Sequence, residues 1–328
     1  MKSRDRRDGL QVVAFGEILW DIFDAGGGAF VRELGGAPAN LATTLVRVGV
    51  PTAVVGGLGR DRFGDDLAAF LKAEGVDTRF LVRLPNRTGV TFVFRDAEGE
   101  PSFLFYRNQT ADMSVRREHV VPAMGKARFA LVGTSTLVSA GLAGATRLFL
   151  RHASKHGAHV IVDLNVRAHL WSSKKAMKES VSKMIYEAAL VKASLTDLAA
   201  LDIGNEAAAI RWVRGAAPKA TVIVTRGAGK ASAYGVHGEA SLCGHEATCV
   251  DATGAGDAFL AGVIAALVAA RAEPGSAPWE DPATWLAALD VGHSLGVKAV
   301  SKIGAVRGIT GLAPIRSKLN ALDTSKRS

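Results

Sequence analysis

"VDATGAGDAFLAG", residues Val250–Gly262, places three glycines and an aspartate where a strand-like run gives way to a long apolar helix. At a helix N-terminus the first amides lack intrahelical partners, and the aligned peptide dipoles add partial positive charge. Gly254, Ala255 and Gly256 present those N–H groups with little side chain in the way, which makes an anion cradle. The following "AFLAGVIAALVAARA" (Ala258–Ala272) reads as a helix, so the glycines stand at its head. Asp257 is harder to account for. A carboxylate in the first helical turn stabilises the dipole, and that is its structural explanation. Beside a phosphate cradle, however, it repels the anion it borders. It makes better sense as a base that takes the proton from a hydroxyl attacking that phosphate.

Outward from this junction, strand-like and helix-like segments alternate. "VVAFG" (Val12–Gly16), "AVVGGLG" (Ala53–Gly59), "FALVGT" (Phe129–Thr134), "HVIVDLN" (His159–Asn165), "LVKASL" (Leu190–Leu195) and "TVIVTRG" (Thr221–Gly227) are short apolar runs. Helical stretches separate them, such as "DDLAAFLKAEG" (Asp65–Gly75), which closes on a glycine as helices often do. The pattern predicts an α/β fold with a mostly parallel central sheet covered on both faces. Asp21–Leu34 and Thr88–Tyr106 break the rhythm, reading as alternating strands with turns at Asp24–Gly28 and Asp96–Glu100. They predict a small β-layer able to act as a lid. "EPGSAPWEDPA" (Glu273–Ala283) reads as a surface loop. The expected organisation is one domain over residues 10–315, with lid segments near 21–34 and 88–106 and flexible tails at 1–9 and 316–328.

The composition is globular, at 48% hydrophobic and 22% charged. The net charge of +9 favours anionic partners, but part of it lies in the terminal "MKSRDRR" and "SKRS". No aromatic-plus-basic platform and no C₂H₂ spacing appears, so an anionic small molecule is expected rather than nucleic acid. Cys243 and Cys249 are the two cysteines, which implies no disulfide framework and fits a reducing cytoplasm. "CGHEATC" brings Cys243, His245 and Cys249 together, yet a tetrahedral zinc site needs a fourth ligand. Their alternation with Leu242, Gly244 and Glu246 reads as an ordinary strand. No leader-like apolar segment and no run of membrane length is present, so a soluble cytoplasmic protein without a membrane partner is expected.

Other phosphate motifs fail. In "VTRGAGKAS" Val224 occupies the first P-loop glycine position and Ala231 replaces the Ser/Thr, and no G-x-G-x-x-G follows a strand. "DATGAGDAFLAG" instead resembles the C-terminal signature of the ribokinase-like carbohydrate kinases, the phosphofructokinase-B family. "GGAPANLATTLVRVG" (Gly35–Gly49) is similar to that family's N-terminal signature, and the likeness runs from about Val12 to Ile309. Within the family, "FLFYRNQTADM" (Phe103–Met113) and "DLNVRAHLW" (Asp163–Trp171) look most like fructokinases, with 2-keto-3-deoxygluconate kinases second.

The resemblance implies a three-layer α/β/α sandwich and phosphoryl transfer from MgATP to a sugar hydroxyl. Asp257 matches the catalytic base, and Gly254, Ala255 and Gly256 match the anion hole. Asp21 matches a carboxylate that bonds sugar hydroxyls, while Gly35, Gly36 and Asn40 match pocket-lining positions. Asn40 also has a structural explanation as a helix cap, because "PANLATTL" opens a helix. Arg107 and Arg167 match arginines that approach the substrate. A guanidinium suits a carboxylate as well as vicinal hydroxyls, so their convergence would favour a sugar acid, whereas a surface salt bridge would make them structural. Asn165 and Asp163 lie at a strand's C-terminal end, where open α/β sheets bind ligands.

On the nucleotide side the resemblance implies Lys192, Ser194, Thr225, Gly227, Gly229 and His293. Lys230 stands where the family commonly has glycine, and His293 where asparagine is common near the adenine. Asp197 stands where glutamate is common and would reach Mg²⁺ through water. Asp251 and Thr253, with carbonyls near Ala299 and Gly304, match a monovalent-cation (K⁺) site. The expected function is an ATP-dependent fructokinase that forms a homodimer through its lid. The nearer alternative is another sugar or nucleoside as acceptor, 2-keto-3-deoxygluconate foremost. A sugar- or nucleotide-binding sensor without catalysis rests on the departures at Asp197, Lys230 and His293, and the intact "GAGD" argues against it.

Overall fold

Val12–Phe15 (β1) is buried on both faces, with Val12 and Ala14 in one hydrophobic core and Val13 and Phe15 in the other. A period-two strand serves two cores only when helices cover both sides of its sheet. The computed structural model describes residues 9–95, 101–120 and 127–323.

After β1 the chain forms β2 (Leu19–Gly26), β3 (Ala29–Gly35), α1 (Ala37–Arg47), β4 (Thr52–Gly59), α2 (Arg62–Ala73), β5 (Asp77–Leu84), β6 (Val90–Arg95) and β7 (Pro101–Tyr106). Then follow α3 (Arg117–Val120), β8 (Phe129–Gly133), α4 (Ala140–Lys155), β9 (His159–Asp163), α5 (Lys174–Ile185), β10 (Ala188–Ser194), α6 (Leu195–Ala200) and α7 (Glu206–Ala216). The remainder is β11 (Thr221–Thr225), β12 (Ala231–Tyr234), β13 (Glu239–Leu242), α8 (Ala255–Ala269), α9 (Ala277–Glu280), α10 (Pro282–Val300) and α11 (Ala313–Leu322).

Nine strands form the main sheet in the order β13-β12-β11-β10-β9-β8-β1-β4-β5. From β11 to β5 every neighbouring pair is parallel, and β12 and β13 add an antiparallel hairpin at the edge. Helices α1, α2, α8, α10 and α11 fill one core, and α4, α5 and α7 fill the other, which is the expected three-layer sandwich. Local signals set the boundaries. Asp61 caps α2 by accepting from the Gly64 amide, and Gly75 leaves the same helix at φ +87°. Helix α8 is buried continuously from Asp257 to Leu267.

The second sheet has the order β3-β2-β6-β7 and contains both segments anticipated as a lid. The turn expected at Asp96–Glu100 lies outside the described residues, as do residues 1–8 and 324–328 of the expected tails. Three expectations need correction. Residues 316–322 are not tail but the body of α11, which buries Ile315 and Leu319 against the core. Cys243–Cys249 does not continue as a strand, because β13 ends at Leu242 and the segment then runs irregularly over the turn after β11. There a side chain on Gly244 would strike the Ala228 carbonyl. The loop at 273–283 contains α9, whose Trp279 is buried edge-on against Trp285.

The chain passes from β1 to β4 and β5 on one side, then returns to lay β8 on the other. Strand order therefore reverses at β1, and open α/β sheets bind ligands at such a reversal.

Candidate active site

At the C-terminal ends of the central strands a cleft is lined by Glu17, Pro38, Gly133, Asp163, Asn165 and Asp257, among others.

The head of α8 faces this cleft. Gly254 takes φ +74° as the N-cap, and a Cβ there would overlap Ala305, so glycine is required twice over. The amides of Gly256 and Asp257 meet no acceptor among the described residues, whereas the Ala255 amide closes a turn onto the Ala252 carbonyl at 3.2 Å. Two free amides at the positive end of a fifteen-residue helix form an anion seat. Lys192, at the end of β10, adds a cation: its Nζ lies 3.1 Å from the point a Cβ on Gly256 would occupy. It is 5% exposed and pairs with Asp163 at 3.1 Å. Burial pulls its pKa down, but the Asp163 and Asp197 carboxylates outweigh that and hold it above the ordinary lysine value.

Asp257 is 8% exposed, and its Oδ2 accepts from Asn40 Nδ2 at 2.9 Å. Burial, reinforced by the Asp163 charge, pushes its pKa up to about 7, against the pull of the Asn40 hydrogen bond, Lys192 and Arg167. A carboxyl with that pKa is matched to proton transfer near neutrality. Asn40 is not a helix cap: Gly36 holds that position, and the Asn40 Oδ1 is buried without a partner.

Asp21 on β2 is buried beside Asp257, and burial with that neighbouring charge raises its pKa to about 8. Gly35 makes room for it. A Cβ on Gly35 would sit 2.6 Å from the Asp21 carboxyl, and one on Gly36, at φ +96°, would strike the Glu17 carbonyl. Asn165 stands in the left-handed region at φ +33°. Arg167 is half-buried, forms no side-chain hydrogen bond or ion pair among the described residues, and draws down the pKa values of Asp21, Asp163 and Asp257.

Arg107 departs from expectation. It is buried, and Nε and Nη2 both donate to Asp112 Oδ2, at 2.8 and 2.6 Å. Thr110 Oγ1 donates to the other oxygen of Asp112. The pair is buried rather than on the surface, and two of the three guanidinium nitrogens are committed within the protein.

The nucleotide-side residues lie along β10, β11 and α10. Thr225 Oγ1 reaches the Ala193 carbonyl at 3.5 Å, and Gly227 takes φ +57° in a turn braced by Arg226, which donates to the Lys230 carbonyl. Ser194 caps α6 in a reciprocal box with Asp197. Asp197 also accepts from the Val166 amide at 2.6 Å, so both its oxygens brace the start of α6, which leaves the expected route to magnesium one through water. His293 packs edge-on against Phe259, with Nε2 3.3 Å from the Leu242 carbonyl, and burial lowers its pKa. Asp251 takes the Thr253 amide and hydroxyl on one oxygen and the Gly304 amide on the other, which ties the loop before α8 to the loop after α10. No group of three or more His, Cys, Asp or Glu is placed to hold a metal among the described residues. Nor is any helix among them long and apolar enough to cross a membrane. The place of Asp163 at a strand end is legible in the sequence, whereas its partner Lys192 is not.

The profile of pfkB family carbohydrate kinases matches residues 11–310. Fructokinase-1 of Oryza sativa subsp. japonica is 31% identical over 307 residues, covering 90% of this chain and 93% of that protein. Among solved structures, a fructokinase with bound ATP from Xylella fastidiosa superposes with a TM-score of 0.84 at 28% identity, over 97% of this chain and 99% of that one. Aminoimidazole riboside kinase from Salmonella enterica superposes with a TM-score of 0.82 at 23% identity, over 94% and 99% of the two chains, a likeness of fold alone.

Proposed function

Because the chain belongs to the pfkB family of carbohydrate kinases, we propose that its acceptor is fructose and its product fructose 6-phosphate. As a member of that family it is a phosphotransferase with a sugar hydroxyl as acceptor. The observation that favours fructose over a sugar acid is the Arg107–Asp112 pair. Asp112 cancels the charge of one of the two arginines that would have to receive an acid's carboxylate. Arg167 alone suits a neutral polyol, whose vicinal hydroxyls accept from a guanidinium fork. The fructokinase relatives point the same way.

In this proposal the C6 hydroxyl lies between Asp257 and the γ-phosphoryl group of MgATP. The hydroxyl oxygen forms the new bond to phosphorus as the bond to the ADP oxygen breaks, and the hydroxyl proton passes to an Asp257 oxygen. Lys192 and the amides of Gly256 and Asp257 meet the charge of the group in transfer. Asp21, Asn40 and Asn165 hold the sugar, and closure of the small sheet excludes water that would hydrolyse ATP. Magnesium enters with the nucleotide as part of the substrate. A monovalent cation, potassium in the first instance, belongs beside Asp251 and Thr253, and comparing rates in potassium and choline salts tests it. Two of the three departures that favoured a sensor have structural employment, Asp197 in the α6 cap and His293 against Leu242, so those two do not argue for lost catalysis.

The test is sugar-dependent ADP release from MgATP with fructose, 2-keto-3-deoxygluconate, ribose and adenosine, alongside Asp257→Ala. Fructose should give the highest kcat/KM, and the variant should lose about 10²–10⁴-fold. Preference for the keto acid overturns the acceptor. Silence with every acceptor, despite nucleotide binding, overturns the kinase.

A further inference from the structure

Asp163 and Lys192 are directly paired positions on the neighbouring parallel strands β9 and β10. Their side chains meet at 3.1 Å, each only 6% exposed. An isolated buried ion pair is weak evidence of stabilisation, since the desolvation of two charges rivals their attraction. An ion pair buried between two largely apolar central strands calls for a use. The geometry supplies one, because the ammonium also abuts Gly256 in the first turn of α8. Asp197 is occupied by Ser194 and Val166, and Asp257 by Asn40. Asp163 is thus the carboxylate in ion-pair contact with Lys192 among the described residues.

Resting on the reading of α8 as the seat of phosphoryl transfer, we propose that Asp163 is a positioning residue of that step, holding the Lys192 ammonium against the anion hole before the nucleotide arrives. A cation already in place meets the developing charge without rearrangement, which is the condition for electrostatic catalysis in a dry site. Asp163 acts on the base as well. Asp257 is faced by Asp163 from β9, Lys192 from β10, Arg167 from the segment after β9, Asn40 from α1 and Asp21 from β2. After burial itself, the Asp163 charge is the largest influence raising the Asp257 pKa.

The test is Asp163→Asn, read as kcat, the KM for fructose and the pH dependence of kcat. The expected result is a fall in kcat of about 10²-fold, with little change in the KM for fructose. The acid limb should move to lower pH, because a negative neighbour of Asp257 has gone. A merely structural aspartate would not move that limb. Lys192→Gln and the double variant Asp163→Asn/Lys192→Gln, which buries no unpaired charge, complete a cycle. If Asp163 acts through Lys192, the double variant is no slower than Lys192→Gln alone, and this arm decides the matter should Asp163→Asn fail to fold. Losses that simply multiply overturn the inference. So does turnover that survives Asp163→Asn with its acid limb in place, and that result leaves the kinase reading standing. Absence of turnover in the unaltered chain overturns both.

Discussion

Asn40 Nδ2 donates to Asp257 Oδ2 at 2.9 Å, joining α1 to the head of α8 across 217 positions of sequence. The bond favours the carboxylate over the acid and so restrains a pKa that burial drives upward. Asn40→Ala should therefore push the Asp257 pKa above about 7. The acid limb of the kcat profile is expected to move to higher pH, with activity lost at pH 7 and regained as the pH is raised. A profile that falls uniformly at all pH values would mean that Asn40 serves the sugar alone.

Asp21 carries a stability signature of opposite sign to an ordinary salt-bridged carboxylate. Its pKa rises from 3.8 to about 8 on folding, chiefly through burial. The folded state thus holds the proton more tightly, so this contribution to stability is fully present below pH 3.8 and is lost as pH rises toward 8. Asp21→Asn removes the dependence. Its stability relative to the unaltered chain should climb by up to about 1.4 kcal/mol per pH unit from pH 5 to 8 and then level off. Denaturant melts at four pH values measure it, and a flat difference would place the titration elsewhere.

Gly254→Ala combines a left-handed backbone with a clash against Ala305. Gly275, at φ +82° with open space around it, isolates the backbone term. Gly275→Ala should cost about 1–2 kcal/mol, and Gly254→Ala should cost more and abolish turnover. Equal losses of stability would mean that the Ala305 contact relaxes freely.

The face of the small sheet that carries Phe92 exposes Phe30, Leu104 and Tyr106 at 50%, 49% and 57%. We expect this aromatic patch to close on a second copy, because exposed apolar area of this kind marks interaction sites. Light scattering should give the mass of a dimer, and Leu104→Glu with Tyr106→Glu should give a monomer. A monomeric unaltered chain would remove the expectation.

What was legible in the sequence follows physical range. The glycines and the aspartate at the head of α8 act within one helical turn, and the run of apolar strands reports two-sided burial directly. Contacts that depend on where a side chain turns were not legible. Arg107 and Asp112 are five positions apart, yet nothing in that spacing says that the guanidinium turns inward onto its neighbour rather than toward a ligand. Lys192 and Asp163 meet through strand register, which emerges only when β9 and β10 pair. The α11 helix was hidden because a charged C-terminal stretch reads as solvated until Ile315 and Leu319 find the core.

Helix α8 is at once the apolar centre of one core and the carrier of Asp257. During synthesis the Asn40 amide is made long before the carboxylate it will serve. Until the ribosome has released the segment beyond Ala269, the core around α8 is unfilled and Asp257 is not yet buried beside its partners. The base acquires its raised pKa only as that core closes, so folding of this layer and the onset of chemistry are coupled.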